Sequence, residues 1–486
     1  MSEDTPQRPD ERQVPKVGVD SWVATHAQRV EGTRLQAELA RIPRPAFYAG
    51  FAVFAALLPA FTSSGYIVRV GFDTLLYMLL ALGLNIVVGY AGLLDLGYVA
   101  FYGFGAYAYA MLASPKFGLH WDTLAVIPVV VIASAILGFL VALPSRRLLG
   151  DYLAIVTLFF GQLFVVVMQN GESVSFLGLT KHYDLTGGPN GIVDIDNWNL
   201  GGLHVGSVQG YYYCALITFM LALTAMYLVD TSRTGRAWKS LREDPLAAEL
   251  MGMPVNRLKL IAFACGAAIA GLTGTLFAAL NTTVFAINFD VSTSLIIVYA
   301  VLLLGGAGSI GGVILGAIVV NVSLEVLRDP NHSTWLFYIL IVGVLVAKIR
   351  PWRVLAGILV ATVAIGYAAR GICAAAWPRG MQGEPVVGGA LGSWVNGWVI
   401  HPATPQTIAN VCFVLLVVAV LGLTLLHGWQ RLVALPPTLY LAAFVWNNRL
   451  AVEPSVTRLI LVGVILIVLM NARPQGLLGT ARVEIA

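Results

Sequence analysis

Long apolar runs, interrupted by short polar or glycine-rich stretches, make up most of the chain. A helix needs about 20 mostly apolar residues to cross a bilayer, and fewer where neighbouring helices shield it. The pattern therefore predicts an all-α polytopic membrane protein with about 14 membrane-embedded helical segments, including broken or re-entrant ones. The short or glycine-rich segments 97–113, 291–305 and 311–327 are the candidates for a broken or re-entrant path. The predicted segments are 45–62, 67–90, 97–113, 123–143, 151–169, 211–229, 260–280, 291–305, 311–327, 335–349, 353–370, 406–426, 432–446 and 456–471.

Composition agrees with a lipid environment. Of the 486 residues, 58% are hydrophobic and 11% are charged, whereas a soluble domain carries about 25% charged residues. The formal net charge of +4 is small for this length and predicts no nucleic-acid partner. The four cysteines lie apart, and the sequence holds no metal-ligand spacing, nucleophile elbow or phosphate-binding loop. We therefore expect the chain not to be an enzyme and to bind no cofactor itself.

The distribution of basic residues predicts the orientation, because positive charge accumulates in cytoplasmic loops. With the amino terminus inside, the two outward segments 170–210 and 371–405 are large enough to receive a soluble partner, and both termini are predicted to be cytoplasmic. The outward loops hold Lys116, Lys181, Arg328, Arg379 and Arg449. The inward loops hold Arg146, Arg147, Arg233, Arg236, Lys239, Arg242, Arg257, Lys259, Lys348, Arg350, Arg353, Arg473 and Arg482.

The same pattern divides the chain into four parts. Residues 1–44 form a polar extension, in which apolar residues recur beside arginines at roughly helical spacing; a helix on the membrane surface and a disordered tail both fit. Residues 45–349 form a transmembrane core with a long hydrophilic loop at 230–259. Residues 350–455 add further transmembrane helices, to which no function is assigned. Residues 456–486 form the last transmembrane helix and a cytoplasmic tail.

The hydrophilic loop contains the signals of one short helix. Asp244 followed by Pro245 is a helix start, with a carboxylate at the N-cap and proline at the first helical position. Gly252 supplies a left-handed stop. A helix of about two turns is not stable alone and needs a surface to lie against. Two interpretations follow: a coupling helix docked on a cytoplasmic motor, or an ordinary amphipathic connector.

Polar residues within the apolar segments are candidates for a translocation path. The glycine-rich stretch 83–106 contains Asn85 and Asp95, and the Asp95 carboxylate either takes part in transport or caps a half-helix. Gln162 lies in mid-span and needs an internal partner, so we expect it to face protein or a water-filled path. The candidate path residues are Asn85, Gly89, Gly92, Asp95 and Gln162.

Three further glycine-rich patterns are structural predictions. The stretch 302–317 breaks an apolar run and predicts a tight turn between two short arms. Gly266 and Gly274, with Ala270 between them, form a small-residue ridge that predicts close helix packing. The outward cluster 185–192 either shapes the mouth that receives substrate or is a plain loop.

Several of these stretches together resemble the LivM-like permeases of branched-chain amino acid ABC importers. They occur in the family's order at 82–107, 150–162, 185–192, 235–252, 303–317 and 473–479. The resemblance implies an ABC-importer permease bundle in the bacterial inner membrane, paired with a LivH-like second permease. It also implies two cytoplasmic ATPase subunits, which hold ATP and Mg, and a periplasmic or extracellular solute-binding protein.

The resemblance also carries individual residues over. At Leu246 importer permeases generally have glutamate, so a specific ion pair is not expected at this position. The substrate implied is leucine, isoleucine or valine; urea, short amides and other amino acids are the alternatives for the same type of permease. An ion-coupled secondary transporter and a passive channel are the alternatives from other classes. The family's ATPase-contacting loop falls on Gly235, Arg236, Arg242, Glu243, Asp244, Ala247, Ala248 and Gly252.

Overall fold

The computed structural model describes most of the chain between residues 44 and 478. The predicted surface helix before residue 44, most of the predicted segment 456–471, and the inward residues Arg146 and Arg147 lie outside the described residues. The described ranges are 44–62, 64–145, 151–175, 182–200, 202–349, 352–381, 383–385, 387–403, 405–426, 428–452, 457–460, 463–464, 466–467 and 476–478.

Helices form the first of two compact units, which ends at Ile318 and also includes the described residues 476–478. Two short antiparallel hairpins lie between the helices: β1 (Val174–Ser175) with β2 (His182–Tyr183), and β3 (Trp198–Leu200) with β4 (Leu203–Val205). The helices are α1 (Arg44–Phe61), α2 (Gly65–Leu84), α3 (Tyr98–Leu112), α4 (Thr123–Ser145), α5 (Asp151–Asn170), α6 (Val208–Thr231), α7 (Arg233–Glu243), α8 (Pro245–Leu250), α9 (Val255–Asn281), α10 (Ile296–Gly305) and α11 (Ile310–Val326), the last of which continues into the second unit.

Short irregular helices flank several of these elements. A π-helix, Asn85–Tyr90, directly continues α2, and a second one, Val291–Leu295, directly precedes α10. Two 3₁₀ turns lie at Gly188–Asn190 and Ala286–Phe289. Such π-helical turns often mark functional positions within a helix.

The predicted class of protein is confirmed. Within the part of the chain that the structure describes, eight helices are long and apolar enough to cross a membrane. The count becomes nine if α11 and the next helix, bent by 115° at their junction, form one span. Helices occupy the predicted positions from 45–62 to 432–446. That about 14 segments are embedded in the membrane stays a prediction.

Helix α9 lies at the centre of the first unit and packs against α3 and α4. An added Cβ at Gly274 would lie 2.5 Å from the Ala106 nitrogen on α3, and one at Gly266 would lie 2.8 Å from the Val87 side chain. Ala270, between these glycines, is fully buried. The predicted close packing along this ridge is therefore confirmed.

The second unit runs from Val319. Its core contains Val395, Trp398 and Phe444, and the Trp446 ring stacks on Phe337 with the ring centroids 4.2 Å apart. The predicted domain boundaries at 350 and 455 stay predictions. The helices of this unit are α12 (Pro330–Lys348), α13 (Trp352–Ala376), α14 (Gly389–Asn396), α15 (Pro405–Leu425) and α16 (Trp429–Val445), followed by the π-helix Trp446–Leu450.

Candidate functional site

The hydrophilic loop 230–259 folds into the helices α7 and α8 in front of α9. The Ser232 hydroxyl caps α7 by accepting a hydrogen bond from the Gly235 nitrogen (3.2 Å). The Trp238 indole is buried, and its Nε1 donates to the Leu258 carbonyl at the start of α9 (3.0 Å). Lys239 pairs with Asp230 (2.5 Å). These contacts fix α7 against α6 and α9.

Helix α8 begins and ends as the sequence predicts. The Asp244 carboxylate accepts hydrogen bonds from the backbone nitrogens of Leu246 (2.8 Å) and Ala247 (3.0 Å), which satisfies two donors that have no partner inside the helix. Gly252 adopts a left-handed conformation with φ +77°, which costs glycine no steric strain. The predicted start at Asp244 and stop at Gly252 are therefore confirmed.

One face of α8 is held by the protein and the other is open. Ala248 is buried, with 3% of its surface exposed, whereas Leu246, Leu250 and Met251 are 69%, 88% and 82% exposed. Two large apolar side chains on this six-residue helix and a third directly after it form a surface that a partner can cover. The other residues of the predicted coupling loop divide between the two faces: Gly235 is buried, while Arg236, Glu243, Asp244, Ala247 and Gly252 are exposed.

Arg242 at the end of α7 connects this loop to the transmembrane helices. Its guanidinium donates to the Gly89 carbonyl in the π-helix that continues α2, and Nη1 lies 3.5 Å from the Ala307 carbonyl just beyond α10. Gly92 packs against the same arginine, since an added Cβ there would lie 3.0 Å from the Arg242 Cα. One side chain thereby contacts two interrupted transmembrane segments.

The two interrupted segments also contact each other. The Asn85 Oδ1 accepts a hydrogen bond from the Gly308 nitrogen (2.7 Å). Gly89 lies at the same contact, because an added Cβ would approach the Gly308 nitrogen to 2.6 Å and would overlap the Asn85 amide. We call Asn85, Gly89, Gly92, Arg242, Ala307 and Gly308 the Arg242 hub.

The charge of Arg242 suits this position. Helix carbonyl ends carry partial negative charge and leave carbonyl groups without partners inside the helix. The Gly89 carbonyl belongs to such an end, and the Ala307 carbonyl lies in the turn just beyond α10. The guanidinium is permanently charged and has five N–H donors in a planar fork, so it can bridge two carbonyls that point to it from different segments. The Lys239 ammonium adds a second positive charge, 5.4 Å from the centroid of the Tyr90 ring.

A segment near the carboxyl terminus meets the same break. The backbone nitrogens of Leu477 and Leu478 donate to the Leu304 and Gly305 carbonyls at the end of α10 (2.9 and 3.0 Å). Gly476 has no room for a side chain, since an added Cβ would lie 2.6 Å from Gly306. The stretches 82–107, 235–252 and 303–317 and the described residues 476–478, which are far apart in the sequence, thus meet in one region.

Asp95 is buried in the turn before α3. One carboxylate oxygen accepts a hydrogen bond from the Gly97 nitrogen (2.9 Å), and the Asp95 carbonyl accepts one from the Tyr299 hydroxyl (2.7 Å). The next residue, Leu96, donates its backbone N–H to Thr157 on α5 (3.0 Å). This is the geometry of a residue that organises a helix start; a direct role in transport stays a prediction.

The structure separates Gln162 from the other candidate path residues. Asn85, Gly89 and Gly92 belong to the hub, whereas Gln162 is exposed on α5. Its neighbour Gly161 packs towards Gly97 instead, with an added Cβ 3.3 Å from the Gly97 Cα. Sequence reasoning did not join Ala307 and Gly308 to this site. The available signal was the second glycine-rich break, but the sequence did not indicate which residues this break contacts in the fold.

The cluster 185–192 is held firmly at the other end of α5. The Thr186 hydroxyl donates to the Met168 carbonyl (2.7 Å), and Ile192 pairs through its backbone with Val284 (3.0 and 2.9 Å). Burial opposes ionisation of the neighbouring Asp184 carboxyl, but hydrogen bonds from Lys116 and from the Gly187 nitrogen outweigh it and lower the Asp184 pKa. Among the described residues, no group of three histidine, cysteine or acidic side chains is placed to hold a metal ion.

The long apolar helices, the interrupted segments that meet at Arg242 and the exposed apolar face of α8 define a polytopic membrane permease. The family model for the branched-chain amino acid transport system permease component matches residues 66–349. The chain belongs to this family of branched-chain amino acid transport system permease components.

Individual relatives fall in the same family. The chain is 36% identical over 330 residues to the high-affinity branched-chain amino acid transport system permease protein LivM of Salmonella typhimurium, an alignment that covers 63% of this chain and 73% of the relative. The LivM protein of Escherichia coli gives the same figures. The permease protein LivH of Salmonella typhimurium is 25% identical over 275 residues, with 53% and 83% covered. No solved structure matches the chain.

Proposed function

We propose that this chain is the transmembrane permease subunit of an ATP-binding cassette importer. With a second, LivH-like permease it forms the translocation path for leucine, isoleucine and valine, which a solute-binding protein delivers from outside. The relatives named LivM and LivH support the substrate class and the pairing of two permeases. The observation that carries the mechanism is the Arg242 hub, because it joins an exposed loop helix to two interrupted transmembrane segments.

The proposed orientation follows the basic residues of α7 and its neighbours. Arg233, Arg236, Lys239 and Arg242 lie within eleven residues of one helix, which places α7 and α8 in the cytoplasm of a bacterial cell under the positive-inside rule. Both termini are then cytoplasmic, and the cluster 185–192 faces the solute-binding protein. The membrane is the inner membrane.

The ATPase partners dock on α8 in this proposal. Leu246, Leu250 and Met251 offer an apolar surface, and the exposed Glu243 directly before the N-cap of α8 adds a charge near it. Two cytoplasmic ATPase subunits bind ATP and Mg and hydrolyse ATP, and this chain binds no cofactor. ATP binding shifts the permease between two states because the closed ATPase pair has a different affinity for each state.

The Arg242 hub transmits this shift. When an ATPase displaces α8, α7 moves with it, because only Asp244 separates the two helices. Arg242 then displaces the Gly89 and Ala307 carbonyls together. Both carbonyls lie where a transmembrane helix is interrupted, so the adjoining helix ends can change direction without breaking a continuous hydrogen-bond ladder. Asn85, Gly89, Gly92, Asp95 and Gln162 are the proposed path residues of this chain.

Residues 350–455 are proposed to be additional transmembrane helices. Helix α13 has 25 residues, so it is about 37 Å long, which exceeds the hydrocarbon thickness of a bilayer. Exposed tryptophans, Trp352 and Trp377, stand at its two ends with 72% and 52% of their surface exposed. Tryptophan is enriched at both membrane interfaces, which supports a full crossing.

The test is ATP-driven uptake by the reconstituted complex. Proteoliposomes would hold this chain, its second permease and the two ATPases, with the solute-binding protein outside and ATP inside. Labelled leucine should accumulate with ATP, and an ATPase variant that binds but does not hydrolyse ATP should abolish accumulation. Uptake that ignores ATP and collapses with an ionophore would contradict the proposal and favour an ion-coupled transporter. Uptake of urea or short amides without leucine would contradict the substrate class.

A further inference from the structure

Helix α2 carries one pair of opposite charges in an otherwise apolar segment. Arg69 and Asp73 are one turn apart, with Arg69 Nε 3.4 Å from Asp73 Oδ2. Ionisable residues are costly inside the hydrocarbon layer and less costly near its surface, where they can meet water or a ligand. The two side chains are 36% and 38% exposed. The pair is therefore reachable from outside this chain.

The guanidinium of Arg69 is held in place from a second helix. Its Nη2 donates to the Asn281 Oδ1 at the last residue of α9 (2.7 Å), and its central carbon lies 5.8 Å from the centroid of the Phe72 ring. A guanidinium has five N–H donors, which is more than the contacts to Asp73 and Asn281 use. An incoming carboxylate can therefore bind this group without displacing the contact that orients it.

Apolar and aromatic side chains lie beside the charges. Phe277 lies one turn before Asn281 on α9, and the Arg69 guanidinium lies over the Phe72 ring. The Tyr102 ring packs edge-on against Phe277 and Phe289, with centroid distances of 5.6 and 5.0 Å. Tyr102 and Phe289 are buried, whereas Phe277 is partly exposed. The charged pair thus stands next to an aromatic surface.

We propose that Arg69 and Asp73 bind the charged backbone groups of an α-amino acid. The Arg69 guanidinium binds the ligand's carboxylate, the Asp73 carboxylate binds its ammonium group, and the aromatic surface at Phe277 contacts an apolar side chain. Binding leaves the net charge of the site unchanged, because the ligand is a zwitterion. Each of its two charged groups pairs with one member of the existing ion pair. This inference rests on the proposed function and deepens it by naming the residues that recognise the substrate.

The position in α2 fits an entry site. Arg69 and Gly89 are 20 residues apart in the continuous helical run Gly65–Tyr90, which corresponds to about 30 Å at 1.5 Å per residue. That distance equals the hydrocarbon thickness of a bilayer. With the hub at the cytoplasmic surface, Arg69 and Asp73 lie near the outward surface, where the solute-binding protein releases its ligand.

The competing explanation is structural: the pair anchors α2 to α9 through Asn281 and binds nothing. The two explanations differ in what they require of the ligand. A binding site needs both a carboxylate and an ammonium group on the same molecule, whereas an anchor is indifferent to the solute. They also differ for Asp73→Asn, which preserves the shape of the side chain but removes its charge.

The experiment measures equilibrium binding of labelled leucine to the purified complex of both permeases and both ATPases, without the solute-binding protein. We expect binding that unlabelled leucine displaces, and that 4-methylpentanoate and 3-methylbutylamine, which each lack one charged group, displace at least tenfold less well. Asp73→Asn and Arg69→Gln should each weaken leucine binding at least tenfold. Asp73→Glu, which keeps the charge, should recover part of it.

The matched control is Arg328→Gln, which removes another short-range charge pair, Arg328 with Glu325 three residues before it, and should leave binding unchanged. Each variant must co-purify with the second permease and the ATPases and elute as a complex of wild-type size, which shows that it is folded. Absence of leucine binding to the wild-type complex, unchanged binding by Asp73→Asn and Arg69→Gln, or equal displacement by the two analogues would each overturn the inference. ATP-driven leucine uptake by the same complex, reconstituted in proteoliposomes with the solute-binding protein outside, would still uphold the proposed function, so the two failures are distinguishable.

Discussion

The two ends of the helical run Gly65–Tyr90 make different kinds of contact. At one end, Asn85 and Gly89 are buried, and the contacts run through backbone groups of Gly89, Ala307 and Gly308. At the other end, Arg69 and Asp73 are half-exposed, and their contacts run between side chains. One helix thus has a contact through backbone groups at one end and an accessible pair of charged side chains at the other.

The two kinds of contact suit different tasks, namely the transmission of movement and the recognition of a ligand. Side chains in long charged residues change rotamer readily and can exchange one partner for a ligand. Arg242 is also long and charged, but it reaches backbone carbonyls in a contact where Gly89 and Gly92 have no room for a side chain, and densely packed interiors respond by shifting whole elements. The hub is therefore suited to transmit a displacement, and the Arg69 end is suited to respond to a ligand.

The largest expected effect comes from Gly252→Pro, which changes the residue that ends α8, the helix on which the ATPases are proposed to dock. Proline requires φ near −65° and has no N–H, whereas Gly252 has φ +77° and donates to the Glu249 carbonyl (2.9 Å). We expect uptake of leucine to be abolished while membrane insertion and pairing with the second permease persist. Gly252→Asn, which tolerates the left-handed conformation, is the control and should retain most uptake. Normal ATP-coupled uptake by the proline variant would reject α8 as the coupling helix.

Gly89→Ala should have the next largest effect, because it adds one methyl group inside the hub. The new Cβ would overlap the Asn85 amide and approach the Gly308 nitrogen. Overpacking of this kind costs about 1–3 kcal/mol, so we expect a lower thermal unfolding temperature and a severalfold loss of uptake. Gly50→Ala is the matched control, since an added Cβ there meets nothing within 4 Å. Equal behaviour of the two variants would show that the hub is loosely packed.

Asp244→Ala removes the cap of α8 and should reduce uptake moderately. The carboxylate accepts two backbone hydrogen bonds at the helix start, and loss of an N-cap costs about 1 kcal/mol. The helix would fray more often, and the affinity of the complex for its ATPase subunits should fall by about fivefold, which corresponds to that free energy. Asp244→Asn, a good N-cap, should behave like the wild type. A uniform loss in both variants would point to the charge of Asp244 and not to its capping.

The smallest effect is expected outside the membrane, at the ion pair of Lys116 with Asp184 (2.8 Å). A half-exposed pair contributes at most about 1 kcal/mol to stability. The pKa of Asp184 is lowered in the folded protein, so this contribution is present above the unfolded pKa and is lost as pH falls through the lowered folded pKa. Lys116→Met should therefore lower the unfolding temperature slightly at pH 7, with the difference from wild type vanishing in acid. A difference that grows as pH falls would contradict this assignment.

The local parts of the site could be predicted from the sequence. Asp244, Pro245 and Gly252 act on their own neighbours in the chain, so their residue types determine the start and end of α8. The ridge at Gly266 and Gly274 was predictable for a similar reason, since small residues four apart share one helix face. The apolar runs themselves predicted the class of protein and the positions of the helices.

The convergence at Arg242 could not be predicted in this way. Gly89, Arg242 and Ala307 are far apart in the sequence, and no local pattern states which carbonyls an arginine will reach. The density of glycines indicated that another segment packs closely against these stretches, but not which segment. Gln162 illustrates the reverse case: polarity in mid-span predicted an internal partner, whereas this chain leaves the side chain exposed. Whether the second permease covers it depends on a surface that this sequence does not contain.

The central claim is that Arg242 couples the ATPases to the transmembrane segments, and the most direct test is the amount of leucine transported per ATP hydrolysed. In proteoliposomes with a loaded solute-binding protein, Arg242→Ala should hydrolyse ATP at a rate near that of the wild type while the transported leucine per ATP falls at least tenfold. Arg242→Lys, which keeps the charge but loses the planar fork, should fall between the two. An unchanged ratio in Arg242→Ala would contradict the account.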